Sequence, residues 1–132
     1  MKTHAFPRHN RLKSHNSISD LFSSSHSYGK RAIRFLWKID ENTEAEGGIK
    51  VVIAVPKRKL RKATDRNRVK RMIRESFRQN KTEIEAFLRE RKINCNLGIL
   101  YNSNKIENYN LINETMITLL AKYQDEYEKY AE

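Results

Sequence analysis

The chain is poor in the residues that build covalent frameworks and membrane spans. Among its 132 residues are one cysteine, two prolines and four glycines. A single cysteine excludes an intramolecular disulfide framework, which favours a reducing compartment. No apolar run approaches the roughly 20 residues that a membrane-spanning helix needs, and the N-terminal segment holds no apolar stretch of signal-peptide length. We therefore expect a cytoplasmic protein with one domain and one modest core.

Acidic residues are also outnumbered by basic ones, and the difference is largest within one segment of the chain. The chain has 27 basic and 16 acidic side chains, a formal net charge of +11 and a pI of about 9.9. Residues 56–80 alone carry 11 basic and 2 acidic side chains, whereas residues 104–132 carry 3 and 6. Such an excess indicates an acidic partner: nucleic acid, an anionic membrane surface or an acidic protein. The partner surface should be built from the N-terminal third and the 56–80 block.

Constellations typical of metal binding or protein-based catalysis are missing from the sequence. The four histidines (His4, His9, His15 and His26) have a spacing that fits no zinc pattern, and Cys95 is remote from them in sequence. The acidic residues form no paired arrangement of the kind that phosphoryl transfer needs around metal ions. We interpret the histidines as surface residues and Cys95 as a core or edge residue. No catalytic or metal-binding side chain is predicted.

Hydrophobic periodicity predicts a single α+β domain with the order α-β-β-α-β-α. Residues 1–13 read as a flexible basic arm and 14–132 as the folded domain. The predicted elements are a short helix with Ile18, Leu21 and Phe22 on one face, strands at 31–39, 49–55 and 94–101, a helix from about 65 to 91, and a C-terminal helix. Strand 49–55 should be central and should pair with strand 31–39 across the acidic loop 40–48. The predicted inward residues of the last helix are Leu111, Met116, Ile117, Leu119, Leu120 and Tyr123.

The segment "RNRVKRMIRESFR" (66–78) predicts a basic helix with a function of its own. On a helical wheel Val69, Met72, Ile73 and Phe77 face the core, and five arginines and one lysine occupy the remainder. Crowding like charges costs roughly a few tenths of a kcal/mol per close pair, which a phosphodiester backbone would offset, and arginine can bond two phosphate oxygens at once. The pattern favours nucleic-acid binding over a solvated basic face or a helix on an anionic membrane.

Three separated motifs carry a resemblance to the bacterial ribonuclease P protein family. "RNRVKRMIRESFR" resembles the arginine-rich signature of that family. Upstream, "VVIAVPKRKLRKATDRNR" is similar to the family's strand and its connection into the signature, and "RLKSHNSISDLF" resembles its opening arm and first helix. The resemblance covers about residues 11–80 in order. Residues 81–132 agree in element order.

The resemblance implies a fold and a function. The fold is a small mixed sheet packed by helices, ribosomal protein S5 domain 2-like, with a rare left-handed βαβ crossover through residues 57–68. The function is that of the protein subunit of an endoribonuclease, an RNA-binding tRNA-processing factor. Its partners are ribonuclease P RNA, which carries the catalysis and most of the Mg²⁺, and precursor tRNA, whose single-stranded 5′ leader lies in a cleft between the first helix and the sheet. The main alternative is a basic ribosomal-RNA-binding protein without a role in cleavage.

The family's binding residues can be carried over position by position. The residues implied to contact the catalytic RNA are Lys57, Arg58, Lys62, Arg66, Asn67, Arg68, Lys70, Arg71 and Arg74. The residues implied for the leader cleft are Ile18, Phe22, Leu36 and Arg11. Ile18 and Leu36 replace residues that are often aromatic, so the cleft should lose stacking worth roughly 1–3 kcal/mol per ring. Pro56 replaces a usual serine, and Arg61 replaces a usual glycine.

Overall fold

The computed structural model describes residues 10–13, 15–23, 25–40 and 47–131. Within them, a four-stranded mixed sheet is packed by four helices. The strands are β1 (His26–Lys30), β2 (Ile33–Ile39), β3 (Gly48–Ala54) and β4 (Asn94–Tyr101), and the helices are α1 (His15–Ser23), α2 (Ala63–Asn80), α3 (Thr82–Arg91) and α4 (Tyr109–Ala131). The predicted α+β class is confirmed. None of these helices is long and apolar enough to cross a membrane.

The sheet has the strand order β1-β2-β4-β3, so the predicted pairing of its strands is wrong. β2 is antiparallel to both β1 and β4, whereas β3 is parallel to β4. β4 therefore lies between the two strands that were expected to pair, and β3 is an edge strand. The two asparagines and the glycine of β4 disguise its central place, although it is the most continuously buried strand.

A parallel crossover joins β3 to β4, as the resemblance implied, but it runs through the whole of α2 and α3 and not through residues 57–68 alone. The left-handed sense of that crossover stays a prediction. The single helix predicted from about 65 to 91 is wrong, because the chain breaks between α2 and α3 at Lys81. The apolar positions Phe77, Ile84 and Leu88 continue in phase across the break and conceal it from periodicity. α3 ends at Arg91 and is capped by Lys92, whose backbone is left-handed and donates to the carbonyls of Leu88 and Arg89.

One face of the sheet forms the core with α2, α3 and α4. Ile33, Phe35 and Trp37 point into it from β2, as their alternation predicts. In α4, Met116, Leu119, Leu120 and Tyr123 are buried as predicted. The core stripe also includes Ile112, whereas Ile117 is 46% exposed and its predicted inward orientation is wrong. Leu111 is half-buried.

β1 was not predicted, because its sequence "HSYGK" combines serine and glycine with a single large apolar ring. Tyr28 anchors the strand: the side chain is 9% exposed, and its hydroxyl donates to the carbonyl of Leu119 at 2.7 Å. β1 thereby links the sheet to α4.

The N-terminal segment runs beside β3. Leu12 donates its backbone N–H to the carbonyl of Val51 at 3.0 Å, and Asn10 is fully buried. Of the predicted arm, residues 1–9, with His4 and His9, lie outside the described residues, and residues 10–13 are packed against the domain.

Candidate nucleic-acid interface

The outward face of α2 presents several cations, most of which have no salt bridge to another described residue. Val69, Ile73 and Phe77 are fully buried and Met72 is partly buried, so the helix is oriented as its wheel predicts. Asn67, Arg68 and Arg71 are exposed, and Lys70 and Arg74 are half-buried. Within the described chain, the one cation of α2 in a salt bridge is Arg78, whose Nη2 lies 2.7 Å from Glu75 Oε2. The remaining positive charges of this face are not neutralised by the described residues.

Arg74 is the centre of a group of three guanidinium groups. Burial lowers the pKa of Arg74, and the positive charges of Arg11 and Arg71 lower it further. The N-terminal segment therefore brings Arg11 to the α2 face, whereas the resemblance had assigned it to the leader cleft. Like charges held this close favour an anionic partner that lies across them.

Arg66 has a different role from its neighbours. Its Nη1 donates to the carbonyls of Leu60 and Arg61, both at 2.8 Å. The side chain therefore holds the connection between β3 and α2 against the first turns of the helix. Within the described residues, the positive-φ positions other than glycine are Arg31 and Lys92, so Arg61 replaces the family's usual glycine without left-handed strain.

The basic connection itself adds charge beside α2. Lys57, Arg58 and Lys62 are exposed. Pro56 starts a tight turn, because its carbonyl accepts from the backbone N–H groups of Lys59 and Leu60 at 3.0 and 3.3 Å. The nine residues implied to contact RNA thus occupy the connection and the first three turns of α2, with Arg66 turned back onto the protein.

A cleft lies on the opposite face of the sheet, where α1 crosses β4 at Gly98. A Cβ at Gly98 would lie 3.1 Å from Leu21 Cδ2 and 3.6 Å from both Leu36 Cβ and Phe22 Cζ. Leu21 is fully buried here, whereas Phe22 is 42% exposed. Phe22 and Leu36 therefore meet above a glycine that permits close approach of the helix.

The cleft also has an apolar side chain on α1 and two basic side chains on the sheet. Ile18 lies one turn before Phe22 on α1 and is half-buried. Arg34 and Lys50 are exposed on the same face of the sheet as Leu36. Sequence reasoning missed Gly98, although a glycine inside a strand indicates close backbone approach.

The described residues offer binding chemistry in the form of cations on α2 and one exposed aromatic ring, Phe22, at the cleft. Burial raises the pKa of the Cys95 thiol to about 12, so the thiol stays protonated at neutral pH, and its predicted core position is confirmed. In the part of the chain that the structure describes, no group of three His, Cys, Asp or Glu side chains could hold a metal ion.

Comparison with known proteins identifies the family of the chain and relatives of its fold. The family model described as Ribonuclease P matches residues 6–124. The ribonuclease P protein component of Porphyromonas gingivalis is 25% identical over 114 residues, which cover 86% of this chain and 82% of that protein. The fold is similar to the RNase P proteins of Staphylococcus aureus (TM-score 0.65, 20% identity, 86% of this chain and 95% of that one) and Thermotoga maritima (TM-score 0.65, 21% identity, 83% and 94%). The family match spans most of the chain, all four strands and all of α1, α2 and α3 included, and the chain therefore belongs to the ribonuclease P protein family.

Proposed function

We propose that this chain is the RNA-binding subunit of a ribonuclease P holoenzyme and assists removal of the 5′ leader from precursor tRNA. The observation that carries the proposal is the set of unneutralised cations on α2, placed on the other side of the sheet from a partly apolar cleft. Two separate surfaces suit two RNA partners that must be bound at the same time.

The α2 face is the proposed contact with the catalytic RNA. Arg68, Arg71 and Arg74 each can bond two phosphate oxygens, and Arg11 extends their surface. Binding should weaken steeply with salt, because each neutralised phosphate releases counterions. Arg66 contributes indirectly, by fixing the connection that carries Lys57 and Arg58.

The cleft of α1 is the proposed binding surface for the single-stranded leader. Phe22 offers an exposed ring on which a base can stack, for roughly 1–3 kcal/mol. Arg34 and Lys50 lie on the same face and suit the leader's phosphates. We assign hydrolysis to the partner RNA and the Mg²⁺ it binds; the protein side chains bind and orient the two RNAs.

A cleavage assay with a bacterial ribonuclease P RNA tests the proposal. The chain is mixed with that RNA and a precursor tRNA at low Mg²⁺, and the rate of 5′ cleavage is measured. We expect clear stimulation over the RNA alone. Absence of stimulation, together with co-sedimentation of the chain with ribosomal particles, would favour the ribosomal-RNA-binding alternative and sink the proposal.

Two substitutions separate the two surfaces. Arg68→Ala should weaken binding of the catalytic RNA whether or not a leader is present. Phe22→Ala should instead reduce the preference for leader-bearing precursor over mature tRNA. Arg89→Ala, an exposed arginine on α3, is the control and should change neither measurement. If Arg68→Ala and Phe22→Ala act alike, the assignment of one RNA to each surface is wrong.

A further inference from the structure

The end of the sheet at which β3 and β4 finish brings together three segments that are far apart in sequence. Arg34 near the start of β2 and Ala54 at the end of β3 lie opposite the same residue of β4, Leu100. The turn between β1 and β2, the loop after β4 and the connection after β3 therefore meet at one end of the sheet. The turn and the loop are joined directly, because Asn102 donates its backbone N–H to the carbonyl of Ala32 at 2.6 Å.

Basic side chains occur in all three segments. Lys30 and Arg31 at the turn and Lys105 in the loop are exposed, and we call these three residues the hairpin patch. The connection 56–62 carries five basic side chains and no acidic one. Because β2 and β3 are both neighbours of β4, the turn and the connection are separated by two strand spacings, about 10 Å. A short segment of a polyanion can therefore contact both.

The turn of the hairpin patch lies on the helix side of the sheet. Nη1 of Arg31 lies 3.8 Å from Oε1 of Glu114 on α4. Lys30 lies opposite Ile33, whose side chain points into the core beneath the helices. Arg34 points to the opposite face, where the leader cleft lies. The patch therefore shares its side of the sheet with the basic face of α2.

Arg31 has a backbone conformation that favours glycine. Its φ is 55°, and it is the first residue of a two-residue turn, where glycine or asparagine is usual. The other such position of the described chain, Lys92, has a local explanation, because it caps the C-terminus of α3, where positive charge is favourable. A left-handed arginine at a hairpin turn has no such explanation, so its side chain indicates a function.

The acidic neighbours of the hairpin patch leave most of its charge available. The side chains of Arg31 and Glu114 are 46% and 70% exposed, and salt bridges between exposed groups contribute little. Glu107 is half-buried and accepts from the hydroxyl of Ser103 at 3.2 Å. A phosphate can replace Glu114 as the partner of Arg31 and accept two hydrogen bonds from its guanidinium group.

We propose that the hairpin patch binds phosphates of the catalytic RNA and extends the surface formed by α2 and the connection. The inference rests on the proposed function and deepens it, because it adds residues outside the arginine-rich segment to the same RNA interface. Lysine and arginine contacts to phosphates position an RNA without reading its bases. The contribution of the patch should therefore depend on salt and not on RNA sequence.

The test measures binding of a bacterial ribonuclease P RNA to the full chain without precursor tRNA. Filter binding over a range of salt concentrations gives the affinity and its salt dependence. Arg31→Gly should weaken binding by about fivefold at 0.1 M salt and lower the slope against salt by about one phosphate contact. Its thermal unfolding midpoint should stay close to that of the wild type, because glycine adopts the left-handed backbone without strain. Lys105→Ala should weaken binding in the same way.

Two further variants distinguish a phosphate contact from a change in net charge or in hairpin structure. Lys92→Gly is the matched control, because it also replaces an exposed cation at positive φ, but beside the opposite end of β4. It should keep the wild-type affinity. Glu114→Gln should raise the affinity by about twofold, because it removes an acidic competitor for Arg31. A purely structural role of the turn would give no such gain.

The outcomes separate this inference from the function on which it rests. A wild-type chain that neither binds the catalytic RNA nor stimulates cleavage contradicts the proposed function. Weakened binding by Arg68→Ala, with wild-type affinity and salt dependence in Arg31→Gly and Lys105→Ala, overturns the inference alone.

Two other results would also overturn it. Equal losses in Arg31→Gly and Lys92→Gly would mean that net charge explains the effect. A loss confined to leader-bearing precursor would mean that the patch contacts the substrate and not the catalytic RNA. Should Arg31→Gly fail to fold, unchanged binding in Lys105→Ala and Glu114→Gln would overturn the inference equally.

Discussion

Asn10 joins the N-terminal segment to the sheet and to the helices. Its Nδ2 donates to the carbonyl of Ile49 at 2.9 Å and to Glu85 Oε2 at 3.1 Å. Its Oδ1 accepts from Lys81 Nζ at 2.7 Å. The residue is fully buried and precedes Arg11, so it fixes the position from which Arg11 faces Arg74.

Asn10→Ala should lower the free energy of unfolding by about 1–3 kcal/mol, because it removes the hydrogen bonds that a buried side chain makes to the carbonyl of Ile49, to Glu85 and to Lys81. Urea denaturation followed by circular dichroism measures the change. Lys13→Ala, at an exposed position of the same segment, should alter stability by less than about 0.5 kcal/mol. Equal urea midpoints for Asn10→Ala and the wild type would contradict the proposed role of Asn10.

Gly98→Ala should impair the leader cleft more than the fold. The new methyl group would lie 3.1 Å from Leu21 Cδ2 and 3.6 Å from Phe22 Cζ, so the Leu21 side chain must give way by a few tenths of an ångström and the position of Phe22 beside it should change. We expect a reduced preference for leader-bearing precursor, with normal affinity for the catalytic RNA. Cleavage of precursor and binding of mature tRNA, compared in one holoenzyme preparation, measure this. A variant with unchanged leader preference would show that the close approach at Gly98 has no functional consequence.

Two arginines of α2 that look equivalent in sequence should respond differently to substitution. Arg66→Ala removes the hydrogen bonds to Leu60 and Arg61 and should lower both stability and RNA affinity. Arg68→Ala removes an exposed charge; it should leave the unfolding midpoint unchanged and reduce the salt dependence of RNA binding by about one phosphate contact. Thermal melts and filter binding over a range of salt concentrations test both. Identical stability losses would contradict the separate roles.

Individual elements were predicted well where local periodicity determines them. The buried faces of α2 and β2 follow from spacing alone, because one helix or strand carries the whole pattern. Strand pairing depends on residues distant in sequence, so nothing in the apolar run of β3 indicates that it lies at an edge. The break at Lys81 was hidden for a related reason: the two helices bury residues in the same phase.

The candidate surfaces were predictable to different degrees. The basic face of α2 is a feature of one segment and could be located by counting charge. Phe22 and Leu36 were assigned to one cleft through the family resemblance, and the structure brings them together at Gly98. Arg11 was assigned to the cleft through the same resemblance, and its bridge to Val51 on β3 depends on contacts distant in sequence.

The whole molecule should lose stability in mildly alkaline solution. Burial raises the pKa of Cys95 to about 12 and raises the pKa values of the Tyr28 and Tyr123 hydroxyls above their usual range. An unfolded chain releases these protons near the ordinary values of 9 and 10, whereas the folded chain keeps them. Unfolding is therefore favoured as pH rises, and the stabilisation that is complete below pH 9 is lost progressively above it.

Urea midpoints measured from pH 8 to pH 11 test this pH dependence. Each group should contribute a fall of about 1.4 kcal/mol per pH unit within its titration range. Cys95→Ala should flatten the curve between pH 9 and 10, where the thiol of the unfolded chain titrates before the tyrosines. A pH-independent midpoint would show that these groups titrate alike in the folded and unfolded states.

The packing of residues 10–12 against β3 has a consequence for self-association. The outer side of an edge strand presents unpaired carbonyl and N–H groups that can template pairing with a second molecule. Here Asn10 and Leu12 donate to the carbonyls of Ile49 and Val51, two successive acceptors on that side. The N-terminal segment thus covers the outer edge of β3 and should prevent that edge from pairing with a second molecule. A chain shortened past residue 12 would expose this template, and aggregation at high concentration should be its first visible defect.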